Sequence, residues 1–187
     1  MLAYVFWHWP ASEARSAREA YERALLEFHR VLAAQAPPGF QRSATGRAEG
    51  VPWLGEFRRG YEDWYLVDGF AALEPLNEGA VSGARGAAHE RAAQAVAGGT
   101  AGLYRPWGTQ GSLEGARWAA WFAKPAGTSY PELLEELASW RARAGVSLWQ
   151  RQMTLGPGPE FCLRAPERLE LPARLAALEV GLEPLRP

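Results

Sequence analysis

Residues 4–10 read YVFWHWP. Four aromatic rings and a β-branched valine in seven residues have the composition of a strand, and Pro10 ends it because proline offers no N–H to a ladder. Alternation places Ala3, Val5, Trp7 and Trp9 on one face, and Tyr4, Phe6 and His8 on the other. Neither face is a plain solvent face. One set is expected to meet helices and the other a second layer of structure.

Outward from this strand, the ASEARSARE run starts a helix. Ser16-Ala17-Arg18-Glu19 fits a capping box, with Ser12 as an earlier cap. Tyr21, Ala24, Leu25, Phe28, Val31 and Leu32 form an apolar stripe at helical spacing, and Pro37-Pro38-Gly39 stops it. FQRSATGR (40–47) reads as a second strand and GYEDWYLVD (60–68) as a third. Residues 70–97 are helical in character but broken by Pro75, Gly79, Gly83 and Gly86, and TAGLYRPW (100–107) supplies a fourth strand.

After a Gly/Ser linker at 109–115 the order β-α-β-β-α-β begins again. RWAAWFAKP (117–125) is a strand ended by Pro125, and Ser129-Tyr130-Pro131-Glu132 is a capping box with proline in the first turn. VSLWQRQMTL and EFCLR form a hairpin around GPGP. PERLELPARLAALEV is expected to hold a broken second helix, and residues 180–185 a closing strand. The domain reading is therefore one repeat over 1–108, a linker over 109–115, and a shorter repeat over 116–187.

The repeated order resembles the ferredoxin-like fold. A sheet with helices on one face leaves the other bare, and two bare apolar faces can cover each other. The expected fold is α+β, with two ferredoxin-like sheets packed face to face as a pseudo-dimeric barrel. In this it resembles the dimeric α+β barrel superfamily, and YVFWHWP and GYEDWYLVD are also similar to strings of an uncharacterised bacterial family. The superfamily resemblance implies cofactor-free oxygenases, haem-binding enzymes and isomerase-like proteins acting on aromatic substrates.

Ala3, Val5, Trp64 and Leu66, the plainer hydrophobes, are assigned to the helix side. Tyr4, Phe6, His8, Asp63 and Tyr65 then line the space between sheets. Pairing Phe6 with Tyr65 also pairs His8 with Asp63, and directly opposed Cβ atoms lie about 4.5–5.5 Å apart. His8 and Asp63 are the candidate catalytic residues; Tyr4, Phe6 and Tyr65 are the candidate ligand wall. His29 reads as an edge-of-core residue. His89 begins the zinc-site pattern H-E-x-x-H, but position 93 is alanine and the pattern fails. Asn77, near the third strand, is a solvent-facing turn residue or a group at the barrel mouth. No metal and no cofactor are expected, with haem on His8 as the alternative.

Composition narrows the partners. The net charge is −1 and the arginines are scattered, so the basic footprint of a nucleic-acid binder is missing. Cys162 is the only cysteine, which rules out a disulfide within the chain, and its apolar strand suggests a buried thiol. No apolar run reaches the ~20 residues of a spanning helix, and no secretory leader is expected. These features predict a soluble, cytoplasmic, bacterial-type protein, monomeric or homodimeric. It either binds or converts a small aromatic or apolar molecule between the sheets, or is a non-enzymatic module with a filled interior.

Overall fold

The computed structural model describes residues 1–12, 14–57, 59–108, 113, 115–153 and 155–186. Most of the proposed 109–115 linker lies outside the described residues. The elements run β1 (Leu2–Pro10), α1 (Arg15–Ala34), β2 (Phe40–Glu49), a 3-10 turn, β3 (Arg59–Val67), α2 (Leu73–Ala80), α3 (Gly83–Ala93) and β4 (Val96–Pro106). They continue with β5 (Trp118–Phe122), α4 (Tyr130–Glu136), α5 (Ala138–Arg141), β6 (Ser147–Met153), β7 (Phe161–Ala165) and β8 (Leu178–Pro184).

The stripe on α1 is buried as its spacing predicts: Tyr21, Leu25, Phe28, Val31 and Leu32 face inward. Its start differs. The helix begins at Arg15 behind an uncapped Ala14, which leaves Ser16 inside the first turn; Ser12 Oγ instead accepts from the Ala14 N–H at 3.3 Å. The Ser129 box does form, with Glu132 and Ser129 bonding each other's backbone N–H. The second helix expected over PERLELPARLAALEV is reduced to a 3-10 turn at Ala173–Leu175. Pro166 and Pro172 stand too close together for an α-helix to propagate between them.

The eight strands do not form two sheets packed face to face. They form one closed antiparallel barrel in the order β1-β3-β2-β8-β5-β7-β6-β4. The two four-strand runs join edge to edge, through β2–β8 and β4–β6. Closure hydrogen-bonds the strand edges that stacked open sheets would leave exposed.

Closure also decides which face points where. One buried cluster takes residues from all eight strands: Val5 and Trp7, Ala48, Trp64, Tyr104, Trp121, Trp149, Cys162 and Val180. Only the inside of the barrel can gather such a set. An eight-stranded barrel has an interior that side chains must fill, and indole rings do so here. Trp121 lies 5.2 Å from both Trp7 and Trp53 between ring centroids, and 5.5 Å from Tyr104. Glu62 pairs with Arg164 within this interior, and the Arg164 guanidinium stands 4.6 Å over the Trp64 ring. Burial pushes the Cys162 thiol well above its usual range.

The facing expected for β1 and β3 is therefore reversed. Ala3, Val5, Trp64 and Leu66 fill the barrel. Tyr4 and Tyr65 pack with Phe28 and Val31 of α1 on the outside. No described helix is long and apolar enough to cross a membrane.

Candidate functional site

The outer face of β1, β3 and β4 and the helices that cover it enclose two adjoining clefts. The first, about 390 Å³, is lined by Tyr4, Phe6, Phe28, Tyr65, Asn77 and His89 among others. The second, about 370 Å³, shares Phe6, Phe28, Tyr65 and His89 and adds His8, Tyr21 and Asp63. Tyr4, Phe6 and Tyr65 thus line a cleft, but it lies between barrel and helices. The expected space between sheets is the barrel interior, which is filled.

Two features keep the second cleft open. Gly99 on β4 sits opposite His8, and a Cβ there would stand 2.4 Å from Phe6 Cζ, so glycine makes room for the Phe6 ring. Ala92 and Ala93 supply only methyl groups from α3.

His8 and Asp63 meet by a different register from the one expected. β1 pairs Phe6 with Asp63, Tyr4 with Tyr65, and His8 with Tyr61. The His8–Asp63 contact is diagonal, with Nε2 3.2 Å from Oδ2. His29 of α1 approaches the other carboxylate oxygen, Nε2 to Oδ1, at 3.4 Å. Both are ion-pair distances whose N–H geometry falls short of hydrogen-bond alignment. Tyr65 Oη donates to Asp63 Oδ2 at 2.9 Å. Outside this centre, Tyr21 Oη bonds His8 Nδ1, and Ser43 Oγ lies 2.6 Å from His29 Nδ1.

The resulting array is Tyr21–His8–Asp63–His29–Ser43. His8 and Asp63 are 1% and 2% exposed. A buried carboxylate needs such company. Burial alone would raise the Asp63 pKa, but the imidazoles of His8 and His29 hold it well below the usual carboxylate range. Burial, followed by the Asp63 charge, raises the Tyr21 and Tyr65 phenols. Tyr21 consequently keeps its proton and donates it to His8 Nδ1, which leaves the remaining ring proton of His8 on Nε2, the side of Asp63. His8 also stacks on Phe6, at 5.0 Å and 24°.

These contacts bear on the cofactor alternative. Both nitrogens of His8 are engaged, so His8 does not fit an axial haem ligand. Nor do the two imidazoles converge on a common point: they face opposite oxygens of one carboxylate, and among the described residues no three such groups could hold a metal ion.

Tyr21, His29 and Ser43 were not candidates on sequence. Tyr21 and His29 were visible as a helical pair: eight residues apart, they lie about 12 Å along one side of α1. Ser43 carried no signal. His89 lines both clefts and packs edge-on to Phe28 at 5.4 Å.

No family model and no curated protein matches the sequence. Three solved structures share the fold. One is an anthrone oxidase-like protein (TM-score 0.52, 10% identity, 89% of this chain and 73% of that one). Another is a proposed monooxygenase from Lactobacillus acidophilus (0.51, 11%, 87% and 74%). The third is a proposed chlorite dismutase (0.52, 10%, 97% and 94%). At such identities the likeness is one of fold: an α+β barrel.

Proposed function

We propose that the chain binds a flat, largely apolar small molecule in the paired clefts and transfers a proton to or from it at the Tyr21–His8 end. The observation that carries this reading is the meeting of an aromatic-walled cleft with a buried, charge-backed imidazole. Concave, mostly apolar sites with a few convergent polar groups suit small molecules. Tyr4, Phe6 and Phe28 would hold the rings of the ligand, while Asn77 and His89 offer polar contacts at the far end.

His8 acts as the base, with Tyr21 between it and the ligand. A weakly acidic C–H or O–H gives its proton to Tyr21 Oη as the phenol passes its own proton to His8 Nδ1. The phenol stays neutral throughout, in keeping with its raised pKa. The new imidazolium lies 3.2 Å from the Asp63 carboxylate, which stabilises the charge. Asp63 and Tyr65 are positioning residues in this scheme. The fold-sharing anthrone oxidase-like and monooxygenase proteins make an aromatic carbon acid a reasonable first ligand, by analogy of fold alone.

The test is deuterium incorporation at the methylene carbon of anthrone in D₂O, which needs no oxidant. The protein should accelerate exchange above the buffer rate. His8→Gln should remove about 10²-fold of that acceleration, the usual scale of a positioned base. Gly99→Ala, which drives a methyl against the Phe6 ring, should weaken binding. Anthrone that binds in the clefts without accelerated exchange would refute the proton-transfer role; no binding of anthrone or of related flat carbon acids would refute the site.

A further inference from the structure

A third cleft, about 870 Å³, lies between α1 and β2 and shares no lining residue with the two clefts of the candidate site. α1 presents Arg23, Leu26, Glu27 and Arg30 to it. These positions, spaced i, i+3, i+4 and i+7, share one side of the helix, apart from the buried stripe of Tyr21, Leu25, Phe28 and Leu32. β2 supplies Ala44 and Thr45. The remaining wall is the chain leaving β8 at 184–186, where the Leu185 N–H donates to Thr45 O at 3.0 Å.

Floor and rim differ in character. Leu26, Ala44, Pro184 and Leu185 are half-buried and make the floor apolar. Arg23, Arg30 and Arg186 are exposed at the rim, against one acid, Glu27. Arg30 is neutralised locally, because its Nε and Nη2 each donate to Glu27 at 2.8 Å. Arg23 and Arg186 make no hydrogen bond or ion pair with any described residue. Two uncompensated guanidinium groups therefore share one cleft, in a chain whose net charge is −1. In the same cleft the hydroxyl of Thr45, a residue 7% exposed, has no hydrogen-bond partner among the described residues.

We propose that this cleft is a second binding site, for an organic anion that carries a carboxylate or phosphate head on a short apolar body. Guanidinium groups pair with such heads through charge-assisted, bidentate hydrogen bonds. Arg23 and Arg186 come from different walls, so one anion neutralises both while its body lies along Leu26, Ala44 and Leu185. The Thr45 hydroxyl adds a donor that no described residue accepts. The chemistry is unlike that of the candidate site. Rings of Tyr4, Phe6 and Phe28 wall the first cleft, whereas no Phe, Tyr or Trp among the described residues lines this one. The inference is independent of the proton-transfer role proposed above.

The experiment titrates octanoate and octyl phosphate, separately, into the full chain with ¹³C-labelled histidine at one fixed pH. The chain has three histidines; His29 lines this cleft and His89 only the other two. The anion should move the His29 ring signal and leave that of His89 in place. By calorimetry, Arg23→Gln and Arg186→Gln should each weaken binding about fivefold, the scale of one partly exposed charge pair. Octan-1-ol, without the charge, should bind more weakly than either anion. Acetate, without the body, should bind at least about tenfold more weakly than octanoate. The tighter of the two anions identifies the head. Binding by neither anion, octan-1-ol or acetate bound as tightly as octanoate, or an affinity unchanged in either arginine variant overturns the proposal. So does a shift of His89 in place of His29, which would put the anion in the candidate site. Binding to phosphatidylglycerol vesicles without binding of either free anion would assign the surface to a membrane and overturn it as well.

Discussion

Asp63→Asn tests the array at its centre, because the substitution keeps the shape and removes the charge. The carboxylate now faces His8 at 3.2 Å, His29 at 3.4 Å and the Tyr65 hydroxyl at 2.9 Å. Asparagine has one acceptor oxygen, so it can serve one side only. Its NH₂ group must face a donor on the other side, either an imidazole N–H or the phenol. Hydrogen bonds to charged groups contribute about 1.5–3 kcal/mol each, and removing one partner from a buried pair costs about 3–5 kcal/mol. The two imidazole contacts are off alignment, which argues against the top of that range, so about 4 kcal/mol is expected. For a domain of this size a kcal/mol shifts Tm by about 2–4 °C, which makes the expected loss about 8–16 °C at pH 7. Circular dichroism during thermal unfolding reads it directly, with Tyr65→Phe as a milder control that loses one hydrogen bond to the carboxylate, about 1.5–3 kcal/mol. A Tm within about 3 °C of the parent would mean that the imidazoles do not depend on the carboxylate, and the array would lose its physical basis.

Two further outcomes follow from the same structure. Because the folded Asp63 pKa lies below its unfolded value of about 3.9, the unfolded chain takes up that proton first as pH falls. The contribution of Asp63 is thus complete above about pH 4 and is lost as pH falls toward the folded pKa, so urea titrations should find the gap between parent and Asp63→Asn narrowing below pH 4; a constant gap would contradict the assignment. In the barrel interior, Trp121 is fully buried and its ring lies within 5.5 Å of Trp7, Trp53 and Tyr104. Trp121→Ala should cost about 3–5 kcal/mol by urea denaturation, and a loss under about 1 kcal/mol would mean that these rings do not hold the barrel closed.

Strand parity was legible in YVFWHWP and GYEDWYLVD, whereas facing and register were not. Both faces of β1 are aromatic and buried or half-buried, so no polar side marks the outside. Assigning plain hydrophobes to the helices is sensible for an open sheet. It fails here because the barrel closes through β2–β8 and β4–β6, contacts between residues more than 40 positions apart that no local pattern encodes. Once closed, the barrel requires its largest rings inside, and Trp7 and Trp64 go there with Val5 and Leu66.

The His8–Asp63 pairing was expected from the wrong register yet forms all the same, and the reason is geometric. The register differs by two residues, and a shift of two preserves the face on which every side chain lies. His8 and Asp63 became diagonal rather than direct neighbours, still within reach of an imidazole. The more consequential gap was on α1. A buried His–Asp pair on the outer face of the strands needs further donors, and side chains of the barrel interior point away from it. Beyond Tyr65 on the same strand, the helix crossing that face supplies them. Along α1, positions 21, 25, 28 and 29 bring Tyr21 and His29 to the strand side two turns apart, so one residue addresses His8 and the other Asp63. The polar residues of a stripe that looks merely apolar are thus fixed by the strand beneath it. Placing the His8 imidazole outside the barrel is what brings it to the cleft between strands and helices.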